Sequence, residues 1–226
     1  MKYDEFKMYA GSTPESCEEW EDTEQGMLSY GGIRPKIFYR IVSIRDHQPL
    51  IDRCPHIRFF DMAITFRWLV HENEDGISSA LIEYDHLEYW GISEEEIIQT
   101  AVRNTPRLFP AQRCRILDII RQWLDLGGPD LPLYVLTNSR GINGASVMFY
   151  KDILKEFGEE IDQDFYILPS SIHEVLLIGK EEVKDPKDLA QIVLEANQTV
   201  VSKEEFLSNQ VFYFDRSKGE ILIANL

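Results

Sequence analysis

The chain has 226 residues, 44% of them hydrophobic and 12% aromatic, enough apolar material to offset the entropy of ordering one substantial core, which excludes a wholly disordered chain. Its 39 acidic residues against 23 basic ones leave a net charge of −16, so the molecule repels phosphate backbones and anionic headgroups. Neither nucleic acid nor a membrane surface is expected as a partner.

Residues 1 to 34 have no sustained period, hold the acidic run Glu18 to Glu24 and end near Gly31-Gly32; they read as an acidic arm and linker before one α+β domain over 35–226. The opening MKYDEFKMYAG carries charges where a signal peptide needs an apolar run, and no later stretch is long and apolar enough to span a bilayer.

A β-branched and aromatic run from Lys36 to Ile44 predicts a strand, followed by a polar, turn-like stretch to Pro55. Phe60, Met62, Ile64, Phe66, Trp68 and Val70 then alternate with Asp61, Ala63, Thr65, Arg67, Leu69 and His71. That period of two predicts a strand with one wholly apolar face, and Asp75-Gly76 turns the chain into a partner strand over 77–84. The acidic, aromatic stretch from Tyr84 to Trp90 reads as a solvated strand end.

Ser93 and Glu96 have capping-box spacing and open a helix over 94–103, which Asn104-Thr105-Pro106 is expected to stop. A second helix is predicted from Ala111 to Leu126 by the helical spacing of Ile116, Ile119, Ile120 and Trp123, with Gly127-Gly128-Pro129 ending it. Leu133 to Thr137 and Ala145 to Tyr150 predict a hairpin, followed by a helix over 151–161 and by apolar runs at 165–168 and 172–178. Asp185 as cap and Pro186 at the first turn start a helix to Ala196, and Ser202 with Glu205 predicts a short one. Val211 to Phe214 and Glu220 to Ala224 close the chain as a hairpin around Gly219. Hairpins interleaved with helices favour a mainly antiparallel sheet with helices packed on it.

Cys17, Cys54 and Cys114 are odd in number and lack a CxxC pair, so a reducing, cytoplasmic setting is expected rather than a disulfide framework. The histidines other than His173 show no metal-ligand spacing, and neither a metal nor a cofactor is expected.

Chemistry concentrates in Pro169-Ser170-Ser171-Ile172-His173-Glu174-Val175. On an extended strand Ser171 and His173 share a face and Glu174 points away. A hydroxyl beside an imidazole is a candidate nucleophile and base, yet positions two apart on a strand stand roughly 7 Å apart, too far for a direct hydrogen bond. The Gly-x-Ser-x-Gly elbow is also missing. Asn104, Thr105, Asn138 and Asn143 fall at expected element boundaries, where they cap helices or hold turns. The functional alternative is a polar pocket in which Asn104, Asn138, Asn143, Ser170, Ser171, His173 and Glu174 converge on a small ligand or a peptide end.

Several stretches in order give the chain a family likeness: Phe38-Tyr39-Arg40-Ile41-Val42, Pro55 to Ala63, Trp90 to Glu96, Asn104-Thr105-Pro106-Arg107-Leu108-Phe109-Pro110, Val135 to Asn138, Ile142 to Ala145 and Pro169 to Val175. Over about residues 36–224 the sequence resembles a bacterial family of unknown function. The resemblance implies no activity, cofactor or catalytic residue, and a longer N-terminal portion in other members. Two functions are left open: a non-catalytic intracellular binding domain for a protein or small ligand, or a hydrolase or transferase using Ser171 or Ser170 with His173 and an acid from elsewhere.

Overall fold

The computed structural model describes Phe6 and residues 29–73, 76–116, 132–169 and 171–224. It divides into two compact units, 1–110 and 111–226, with the boundary inside the stretch read from sequence as one domain.

In the first unit Ser29 caps helix α1 (Tyr30–Ile33) by accepting the Gly32 N–H, and a 3-10 turn leads into β1 (Ile37–Ser43). Then come α2 (Ile44–Ile51), β2 (His56–Phe59), β3 (Met62–Asn73), β4 (Gly76–Leu81), α3 (Tyr84–Trp90) and α4 (Glu94–Leu108). β3 is the centre of the sheet. It pairs antiparallel with β1 along one edge, and along the other with β2 in its first half and β4 in its second. Ile37, Tyr39, Ile41, Met62, Ile64 and Phe66 are sealed from solvent, and Phe6 packs its ring edge-on against Tyr39 with centroids 5.3 Å apart.

The alternation over 60–71 is indeed extended, but the wholly apolar face is not continuous. Phe60 sits in the β2–β3 turn at φ 54° and is exposed. The register slips between Leu69 and His71, so Val70 falls outside the ladder at 59% exposure while Leu69 is buried. A bulge inserts one residue and exchanges the faces beyond it.

Two stretches read as turn and strand end are helices. α2 occupies part of the expected polar turn. It is kinked at His47 (φ −123°) and contains Pro49, and it forms because Ile44, Leu50 and Ile51 dock on Val42 and Ala63. α3 replaces the expected strand end: the Glu83 N–H is bound by His86 Nδ1 at 2.9 Å, and Gly91, at φ 67°, terminates the helix. α4 begins as expected, with Ser93 Oγ accepting the Glu96 N–H at 3.2 Å, but it runs through Asn104-Thr105-Pro106. Pro106 lies in the final turn, where little helix remains for its missing donor to interrupt.

The second unit comprises β5 (Ala111–Arg115), β6 (Leu133–Asn138), a 3-10 helix (Gly144–Phe149), α5 (Ile153–Ile161), β7 (Phe165–Leu168), β8 (Val175–Gly179), α6 (Pro186–Thr199), β9 (Phe212–Asp215) and β10 (Glu220–Ile223). Its six strands lie in the order β10-β9-β7-β8-β6-β5, every pair antiparallel. On one face Tyr166, Leu168 and Ile178 pack with Leu189 and Val193 of α6. On the other, Phe157 of α5 meets Phe165 and Tyr134 edge-on at 4.8 and 5.0 Å.

Here four expectations are corrected. Residues 111–115 are a strand rather than the start of a helix: β5 pairs with β6, and Arg113 stacks over Phe157 and pairs with Glu160. Ile116, the next residue, is helical, and the remainder of that predicted helix, with Ile119, Ile120 and Trp123, lies outside the described residues. Ala145 to Tyr150 does not return as a strand, because β6 already has β5 and β8 on its two edges. Residues 171–174 precede β8 as a turn and are not extended. Ser202 to Glu205 makes a single turn, with the Glu205 and Phe206 N–H groups on Ser202 O, rather than a helix. The closing hairpin forms as expected, with Gly219 at φ 64°.

The fold class is α+β, built on antiparallel sheets with helices packed against them. No helix among the described residues is long and apolar enough to cross a membrane.

Candidate functional site

Five of the seven candidate binding residues meet in the second unit, where the loop after β6, the turn before β8 and Glu205 converge. β6 ends on Asn138, which is 2% exposed. Its Oδ1 accepts the Arg140 N–H at 2.9 Å and its Nδ2 donates to Ile142 O at 2.8 Å, closing the loop on itself. Asn143 takes the left-handed conformation at φ 55° and opens the 3-10 helix, as expected of Asn at such a boundary.

The 171–174 turn is held from three sides. Thr137 Oγ1 donates to His173 O at 2.7 Å, and the Ala145 N–H donates to Ile172 O at 3.1 Å. From the far side of α6, Glu205 O accepts the Ile172 N–H at 2.9 Å. Gly144 allows the approach. A Cβ there would lie 2.1 Å from Thr137 Oγ1, 2.3 Å from His173 O and 2.9 Å from Asn138 N.

Within the turn, Ser171 Oγ donates to Glu174 Oε1 at 3.1 Å and accepts the His173 N–H at 3.0 Å. Sequence spacing placed Glu174 on the opposite side from Ser171; the turn brings the two together. The His173 ring faces elsewhere. Its Nδ1 accepts the Asn143 N–H at 3.3 Å, and its Nε2 lies 3.4 Å from Glu205 Oε1. With Nδ1 serving as acceptor, the ring proton belongs on Nε2, directed at the Glu205 carboxylate.

The arrangement joins a hydroxyl, an imidazole and two carboxylates, with Ser171 Oγ and the His173 ring each bonded to other groups and not to one another. A serine is activated when a base's lone pair faces its Oγ–H. Here the imidazole lone pair faces a backbone N–H, and the Ser171 hydroxyl is buried at 5% exposure against a carboxylate, a weak base. The His173 and Glu205 side chains are 27% and 44% exposed, and Asn143 and Glu174 are also partly open to solvent.

The other two candidates fall elsewhere. Asn104 belongs to the first unit, where its Nδ2 donates to Arg34 O at 2.7 Å, and Ser170 lies outside the described residues. Thr105, beside Asn104, bridges Ala101 O at 2.6 Å and the Tyr39 N–H at 3.0 Å. Sequence reasoning missed Thr137, Gly144 and the role of Glu205, whose one signal was its spacing from Ser202. Among the described residues no three His, Cys, Asp or Glu side chains are arranged to hold a metal ion.

The model of a family of unknown function (DUF5688) matches residues 6–216, and the chain belongs to that family. The match reaches back to residue 6, into the stretch read as an arm. Searches of curated proteins and of solved structures found no match.

Proposed function

We propose, for this member of a family of unknown function, a non-catalytic binding domain that works in the bacterial cytoplasm and holds a small ligand or a protein. The observation that supports it is the state of Ser171 and His173: each polar atom of the pair is engaged by the protein, and none is turned toward the other as base toward nucleophile. Such a turn braces a loop junction; it does not present a reactive group. The net charge of −16 favours partners other than nucleic acid and anionic membranes.

The test compares Ser171→Ala and His173→Ala with the parent protein in a thermal-shift screen of metabolites and nucleotides, alongside affinity capture from native cytosol. The proposal expects any ligand that raises the parent's melting temperature to raise each variant's, measured from that variant's own baseline. A substrate turned over by the parent and left intact by both variants would overturn it.

A further inference from the structure

The strongest feature outside the loop junction is basic, in a protein with 39 acidic residues and 23 basic ones. On the first unit's sheet, directly opposed residues project from the same face. Arg40 of β1 stands opposite Thr65 of β3, and Thr65 opposite His56 of β2, which makes one row across three strands. In the neighbouring rows on that face, Arg67 lies opposite Phe38, and Arg58 opposite Ala63. The row is bounded at one end by the apolar cluster of Phe38, Leu69 and Phe109, and at the other by that of Val42, Ile51 and Ala63.

The two central guanidiniums differ in how they are held. Arg67 donates from Nε to Ser79 Oγ at 2.9 Å and from Nη2 to Ser79 O at 2.5 Å. Arg40 is half-buried, and its Nε is shut off from solvent with no hydrogen-bond partner. Burial first, and the like charge of Arg67 second, pull the Arg40 guanidinium down to about 10. A half-buried cation beside a second cation, lacking a counter-charge among the described residues, costs stability unless something outside the chain supplies one.

We propose that this face binds an oxyanion of a small ligand, a phosphate or a carboxylate, between Arg40 and Arg67, with His56 beside it. Diagonal positions across paired strands lie about 7–8 Å apart, a span over which two guanidinium forks can close on one anion. The inference names the ligand chemistry of the binding function proposed above and rests on that reading.

The test is thermal shift and isothermal titration of the whole chain with inorganic phosphate, with acetate and citrate as carboxylate arms and chloride at matched ionic strength as control. The parent is expected to gain several degrees with phosphate or with a carboxylate and nothing with chloride. Whichever arm responds identifies the anion. Arg40→Met is expected to melt higher than the parent without anion, since it removes an uncompensated charge, and to lose at least about tenfold in affinity. Arg40→Lys keeps the charge without the fork and is expected to fall between the two. A shift of equal size in parent and Arg40→Met, or no shift with any arm, overturns the site. Release of p-nitrophenol from p-nitrophenyl phosphate, lost in Arg40→Met, would keep the anion site and refute the non-catalytic reading instead.

Discussion

At Gly144 a methyl group would meet a hydroxyl and two backbone atoms, all nearer than 3 Å, and backbone cannot swing aside as the end of a long side chain can. Gly144→Ala is therefore expected to destabilise the second unit by about 3 kcal/mol, the upper range for overpacking, measured as a lower urea midpoint with an unchanged slope. An unchanged midpoint would mean that the loop and the 171–174 turn are not packed as described. The sequence showed that 169–175 and the asparagines at 138 and 143 were special, because short polar residues between apolar runs stand out. It could not show which atoms they bond. Glu174 swings toward Ser171 only because the segment turns, and Glu205 arrives from beyond α6, a separation that no local pattern encodes.

Among the elements, β1 is an edge strand, and Thr105 of α4 occupies the Tyr39 N–H at that edge. An edge amide left open invites pairing with another chain. Thr105→Val keeps the shape and removes the hydroxyl, at an expected cost of about 1–2 kcal/mol, with faster hydrogen exchange at the Tyr39 amide as the specific sign. In the β9–β10 turn, Asp215 binds Lys218 Nζ at 2.8 Å and also accepts from the Ser217 hydroxyl and from the backbone N–H groups of Ser217 and Lys218. The Lys218 ammonium first, then the Ser217 hydroxyl, lower its carboxyl to about 2. A carboxyl depressed in the folded state stabilises above its unfolded value, near 4, and that contribution is lost as the pH falls toward 2. Asp215→Asn is expected to flatten the acid dependence of stability within that window; a titration as steep as the parent's would sink the assignment.

Elements that satisfy themselves locally were legible from sequence. Ser93 as a cap, Asp185-Pro186 at the start of α6 and Gly219 in the last hairpin are each fixed by a few adjacent residues. Elements decided by distant partners were not: residues 111–115 read as helix only through the periodic Ile116, Ile119, Ile120 and Trp123 that follow them and are a strand paired with β6, and α2 forms across His47 and Pro49 because its apolar residues dock on the sheet. The bulge at Val70 left no trace in an alternation that continues unbroken through it.

For the molecule as a whole, the antiparallel, helix-backed plan followed from hairpin spacing, whereas the division at residue 110 did not, since no linker composition marks it. The functional account turns on the loop junction of the second unit, where stretches distant in the chain are tied by polar groups that bond one another. Long-range proton–nitrogen correlation NMR on the His173 ring, recorded above neutral pH, tests this most directly. The account predicts a single neutral tautomer, protonated at Nε2 toward Glu205, with Nδ1 accepting the Asn143 N–H. A ring protonated at Nδ1, or one averaging between both tautomers as a free imidazole does, would contradict it.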